Sequence, residues 1–258
     1  MSLTLFINQK ISRHFSRPSV SAMLGAMVMM GSISSISVAQ MYPPDSDEGM
    51  PGEEMFKACG FCHAAQGQGR QRLDAPPIAG LQAWYVEKQL QNFDKGIRGY
   101  HDEDLPGAQM DIISAMFRND ATIKNVAAYV ETLEPGAPPM LRGRGENAAP
   151  EPIERSFTWN SEYAFLNPPE PGRAAEGEKL YQTCVGCHGA EGLGNEAIGA
   201  PNLTVLAGWY MERQLEYFQD GIRGADERDT QGKLMAGIAN TLTTDQAIAD
   251  VVAYIETL

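Results

Sequence analysis

Cys59-Gly60-Phe61-Cys62-His63 returns 125 positions later as Cys184-Val185-Gly186-Cys187-His188, and the two stretches use all four cysteines of the 258-residue chain. Two thiols at this spacing can add to the two vinyl groups of one porphyrin, and the adjoining histidine then reaches the iron. Cys59 and Cys62, and Cys184 and Cys187, are therefore predicted to attach two haem c groups, with His63 and His188 as proximal ligands. Four cysteines could instead form disulfides, but no pairing explains a histidine after each pair. A zinc site built from two C-x-x-C knuckles usually has them closer together and leaves the histidines surplus.

The 125-residue offset holds without a gap from Gly52–Leu133 to Gly177–Leu258. Ala75-Pro76 repeats as Ala200-Pro201, Trp84-Tyr85 as Trp209-Tyr210, and Gln89-Leu90 as Gln214-Leu215. Gly96-Ile97-Arg98-Gly99 returns as Gly221-Ile222-Arg223-Gly224, and Met110 as Met235. Such a duplication sets the domain count. Each unit is small for an independent core, and a covalent haem supplies apolar mass. Helices are predicted over Gly52–Cys59 and Ala175–Cys184, over Leu81–Lys95 and Leu206–Asp220, and from Asp120 and Asp245, which can cap the last of them. Ile123, Val126, Ala127 and Val130 line one face of that last helix, matched by Ile248, Val251, Val252 and Ile255. Neither unit shows the alternation of a strand, so the fold class is all-α, twice.

The start of the chain reads as a leader over residues 1–39. Lys10, Arg13 and Arg17 precede an apolar run from Val20 to Val38, with a cut expected after Ala39. Serine and glycine within the run make it a poor membrane anchor. The first haem domain then covers 40–133, a connector 134–174 and the second domain 175–258. The connector holds eight of the sixteen prolines yet also Phe157, Trp159, Tyr163 and Phe165, and is expected to lie extended against one or both domains.

The chain carries 20 basic and 33 acidic residues, a net charge of -13 that becomes -16 once the three leader cations are gone. Nucleic acid is excluded as a partner because phosphate binding needs the opposite sign. A redox partner with a basic docking face fits, although acidity also serves solubility. Oligomeric state is not readable from the sequence.

The remaining axial position decides between electron transfer and ligand chemistry. In the second unit the candidates after Met140 are Met211 and Met235. Met211 lies in the aromatic helix and reads as core, while Met235 is expected in a glycine-flanked loop aimed at iron. The repeat register gives Met110 the same role. His101 and Met116 compete in the first unit but are not repeated, and read as surface and core. The carbonyls of Pro76 and Pro201 could accept the free ring N–H of the proximal histidines, or the prolines could simply make turns. Arg98 and Arg223 could pair with haem propionates. Trp84 and Trp209 could line the haem or be ordinary core.

With these residues assembled, the chain resembles the dihaem class-I cytochromes c, most closely the cytochrome c4 group, over both units. The resemblance implies two tandem domains facing each other about a pseudo-twofold, each wrapped around one covalent haem. It implies axial pairs His63/Met110 and His188/Met235, and a periplasmic carrier delivering electrons to a terminal oxidase. The long connector departs from that group. The leading function is thus a periplasmic shuttle between a quinol-oxidising complex or dehydrogenase and an acceptor, touching membranes only through a membrane-bound redox complex. The alternative is an electron-transfer subunit of a dehydrogenase or oxidase complex. A haem enzyme comes third: a peroxidase needs a distal acid–base group, for which only His101 is present, and no cysteine is spare as an extra thiolate ligand.

Overall fold

The computed structural model describes residues 48–117, 119–136 and 170–258. The predicted leader and the aromatic part of the connector lie outside the described residues. Both repeats belong to one compact unit, Pro43–Leu258.

The first repeat contains α1 (Gly52–His63), a 3-10 turn (Gln71–Leu73), α2 (Ala83–Asp94), α3 (Leu105–Ser114) and α4 (Asp120–Thr132). The second contains α5 (Ala174–His188), a 3-10 turn (Glu196–Ile198), α6 (Gly208–Gln219), α7 (Thr230–Ala239) and α8 (Asp245–Ile255). Among the described residues there are no strands, only isolated bridges Arg70–Ala75 and Asn195–Ala200. None of the described helices is long and apolar enough to cross a membrane.

Each repeat is organised by the crossing of its first helix on its last. Glycine makes the approach possible: a Cβ on Gly52 would collide with the Asn125 carbonyl, and one on Gly177 with the Asp250 carbonyl. Phe56 then meets Tyr129 and Tyr181 meets Tyr254, both with ring centroids 5.3 Å apart. The apolar stripe of α4 is buried through Ile123, Val126, Ala127 and Val130, and that of α8 through Ile248, Val251, Val252 and Ile255. The equivalent polar residues 125 and 250 tie the incoming chain to the last helix. Asn125 donates to the carbonyls of Glu48 and Met50 at 2.9 and 3.0 Å. Asp250 accepts the Arg173 backbone N–H at 2.8 Å and pairs with its guanidinium at 2.6 Å.

Three sequence expectations need correction. The helices leading into the motifs do not stop at the first cysteine but run through to His63 and His188. The caps of α4 and α8 fall one residue earlier than expected, on Asn119 and Thr244, whose side chains accept from Thr122 N and Ala247 N. Met110 and Met235 stand on helices, α3 and α7, and not in loops. Glycines 107 and 232 disguise those helices, because glycine disfavours a helix interior. Here they occupy the first turn, where their N–H groups donate to the capping Asp104 and Asp229 at 2.9 Å. Side chains there would collide with the same caps.

Candidate haem sites and the interface between them

Helix α1 delivers Cys59 one turn before His63 and Cys62 directly before it, and α5 does the same for Cys184, Cys187 and His188. All four thiols are free. Among the described residues no three of His, Cys, Asp or Glu converge on one point. Cys59 packs against the first core and Cys184 against the second. Burial pushes both thiols up to about 11.

Both histidine rings are 7% exposed. His63 Nδ1 lies 2.8 Å from Pro76 O, and His188 Nδ1 lies 2.9 Å from Pro201 O. A carbonyl accepts only, so Nδ1 carries the proton and Nε2 the lone pair. Burial lowers the pKa of both rings, with the carbonyl contact opposing it, which keeps them neutral and able to ligate. Each strap bearing the proline is shaped identically: Gly69 N and Gly194 N donate to the His63 and His188 carbonyls at 2.8 Å, and the 70–75 and 195–200 bridges close the turn.

Met110 packs on the same core as Cys59 and Trp84. Met235 is partly exposed on α7. Met211 is core at 5% exposed, but Met116, expected in the core, is 40% exposed. His101 is partly exposed, its Nδ1 accepting from Glu103 N at 3.3 Å within its own loop. Trp84 and Trp209 are partly buried, each edge-on to the following tyrosine.

Arg98 and Arg223 turn away from solvent into the contact between the repeats. Arg98 Nη2 donates to Tyr210 Oη at 2.8 Å and Gln214 Oε1 at 2.9 Å; Arg223 Nη2 donates to Tyr85 Oη at 3.2 Å and Gln89 Oε1 at 3.3 Å. The partners are repeat equivalents, so the contact is reciprocal, as in an isologous interface. Each guanidinium also lies over a phenylalanine of its own repeat, Phe93 or Phe218, at 4.7 and 4.6 Å. Among the described residues neither arginine forms an ion pair. Arg98 Nε is enclosed without a partner, leaving a donor for an anion that the haem propionates fit. Burial pushes the Tyr210 hydroxyl up, but Arg98, Arg223 and Arg213 together bring it below its ordinary pKa.

Sequence reasoning missed the pairing of Tyr85, Gln89, Tyr210 and Gln214 across this contact. Their repetition marked them, yet repetition does not distinguish a partner within a unit from one in the other.

The cytochrome c family pattern matches residues 50–134 and again 174–258. The chain belongs to the cytochrome c family. As a cytochrome c with two such domains, it carries two covalently bound haem c groups and transfers electrons between them and other redox centres. It is 30% identical over 202 residues to the thiosulfate dehydrogenase electron acceptor of Stutzerimonas stutzeri strain A1501, covering 77% of this chain and 79% of that protein. It is 24% identical over 217 residues to cytochrome c4 of Stutzerimonas stutzeri, covering 80% and 87%. The crystal structure of reduced recombinant cytochrome c4 from Pseudomonas stutzeri shares its fold, with a TM-score of 0.53 at 22% identity, over 80% of this cytochrome and 96% of that chain.

Proposed function

We propose that this cytochrome is an exported electron carrier whose irons are both six-coordinate, by His63 and Met110 in the first domain and by His188 and Met235 in the second. Cys59, Cys62, Cys184 and Cys187 hold the porphyrins covalently. The cofactor supplies one-electron chemistry, and the protein sets its potential and exposure. Pro76 and Pro201 fix the histidine tautomer, Trp84 and Trp209 wall the haem, and Arg98 and Arg223 neutralise propionates. The leader ends near Ala39 and directs the chain to the periplasm. The domains occupy 40–133 and 175–258, joined by the connector 134–174.

The observation that carries this reading is the identical donor set in both repeats, each with its histidine Nδ1 turned onto a proline carbonyl. Acidic charge favours a donor and an acceptor with basic docking faces, and Phe61, 78% exposed between Cys59 and Cys62, offers an apolar contact beside the first haem. A spectroscopic redox titration under carbon monoxide tests the reading. Two low-spin centres indifferent to the gas are expected, and rapid binding at either reduced haem overturns it in favour of a haem enzyme.

The similarity to a thiosulfate dehydrogenase electron acceptor favours a second reading of the donor, a periplasmic dehydrogenase for a sulfur oxyanion in place of a quinol-oxidising complex. Fast reduction by such an enzyme, or co-purification with it, selects this reading.

A further inference from the structure

The interface breaks its own symmetry at an ion pair. Arg213, on α6, donates through Nη1 to Asp74 Oδ1 at 2.8 Å and through Nη2 to the Asp74 carbonyl at 3.2 Å. Its side chain is 9% exposed, its Cζ lies 4.9 Å from the Trp209 ring centre, and its Nε is enclosed without a partner. The repeat equivalents are Lys88 and Gly199, so no such ion pair can form on the other side; Lys88 instead donates to Gln231.

Asp74 has φ +54°, in the left-handed region, where Gly199 sits at +74° in the second repeat. Aspartate tolerates this conformation less well than glycine. The first repeat therefore keeps a carboxylate where the backbone prefers none. That carboxylate stands two residues before Pro76, whose carbonyl takes the Nδ1–H of His63, and next to Ala75, which closes the bridge to Arg70 at 2.7 and 3.2 Å. The second domain thus grips the strap that orients the first domain's proximal histidine with an ion pair, whereas the first domain holds the strap of His188 with the neutral Gln82, whose Oε1 accepts from Asn202 N at 2.9 Å and whose Nε2 donates to the Leu193 carbonyl at 3.3 Å.

We propose that the Arg213–Asp74 pair is a positioning contact that sets the reduction potential of the first haem from the second domain and makes the two haems inequivalent. This rests on the reading of His63 as the first haem's ligand. Reduction adds an electron, so removing the anion beside the strap favours the reduced state and removing the cation opposes it.

The test is spectroelectrochemistry of the holoprotein, with each midpoint assigned by NMR of the two axial histidine rings. Asp74→Gly, which installs the residue of the second repeat without backbone strain, is expected to raise the first haem's potential. Arg213→Gln is expected to lower it, and the double variant, which loses the grip on the strap together with both charges, to narrow the gap between the two midpoints; a double variant with the parent's gap overturns the proposal. Shifts in the same direction, or none, overturn the proposal. Indifference to carbon monoxide, measured on the same samples, shows that ligation is intact, so a missing shift counts against this contact and not against the axial ligands.

Discussion

Arg98 of the first domain donates to the Tyr210 hydroxyl of the second at 2.8 Å, while their repeat equivalents Arg223 and Tyr85 meet in reverse at 3.2 Å. The two domains therefore hold one another through two guanidiniums whose direct hydrogen-bond acceptors across the interface are neutral. Removing a hydroxyl leaves a buried cation short of one acceptor, at a cost of about 1 to 3 kcal/mol. Tyr210→Phe is expected to weaken docking more than Tyr85→Phe, because its bond is the shorter, 2.8 Å against 3.2 Å. Urea unfolding of the holoprotein reads this as lost cooperativity between domains. Equal behaviour of parent and Tyr210→Phe would show that the contact does not hold the interface.

The axial methionines give a spectral prediction. Met110→Ala and Met235→Ala should each remove about half of the weak band at the red end of the oxidised spectrum and open one haem to carbon monoxide. A first haem unaffected by Met110→Ala would move the ligand elsewhere, with His101 and Met116 the next residues to vary.

Gly177→Ala forces a methyl into the Asp250 carbonyl where α5 crosses α8. Backbone cannot yield as a side-chain end can, so a loss of more than about 2 kcal/mol is expected. Gly237, on α7, has nothing within 4 Å of an added Cβ. Gly237→Ala should accordingly stabilise by about 0.5 to 1 kcal/mol through helix propensity alone. Thermal melts of the two variants should move in opposite directions.

Asp250 has its pKa lowered to about 2, first by the hydrogen bond from Arg173. Its folded value lies below the unfolded one, so the pair's stabilisation is fully present above about pH 4 and is lost as pH falls towards 2. Arg173 is 61% exposed, so solvent screening weakens the pair's contribution. Asp250→Asn installs the residue found at position 125. It should be less stable than the parent at neutral pH, and the two should converge near pH 2 in acid unfolding curves. A constant difference across that range would assign the effect to packing instead.

Much of this architecture is legible in one dimension, and the failures are specific. The buried stripes of α4 and α8 follow the 3.6-residue period because a helix exposes one face to its core. α3 and α7 escaped detection because Gly107 and Gly232 look like breakers, and only the fold shows them pressed against Gly99 and Gly224 and against their own caps. Met116, read as core because the second unit does not repeat it, lies two residues past the end of α3 and is 40% exposed. Repeat register identified Arg98 and Arg223 as a pair but left their partners open.

The sequence by itself determined that two haems are attached, that the chain is a helical unit written twice, and which histidine heads each site. These follow from covalent spacing and local periodicity, which operate over a few residues. Only the tertiary structure decided that Arg98 meets Tyr210, and that Arg213 grips Asp74 without a counterpart. Those contacts join residues more than a hundred positions apart. Nothing local encodes them: they exist because packing α6 against the first domain brings Val205 and Leu206 onto its core and carries the polar side chains into reach.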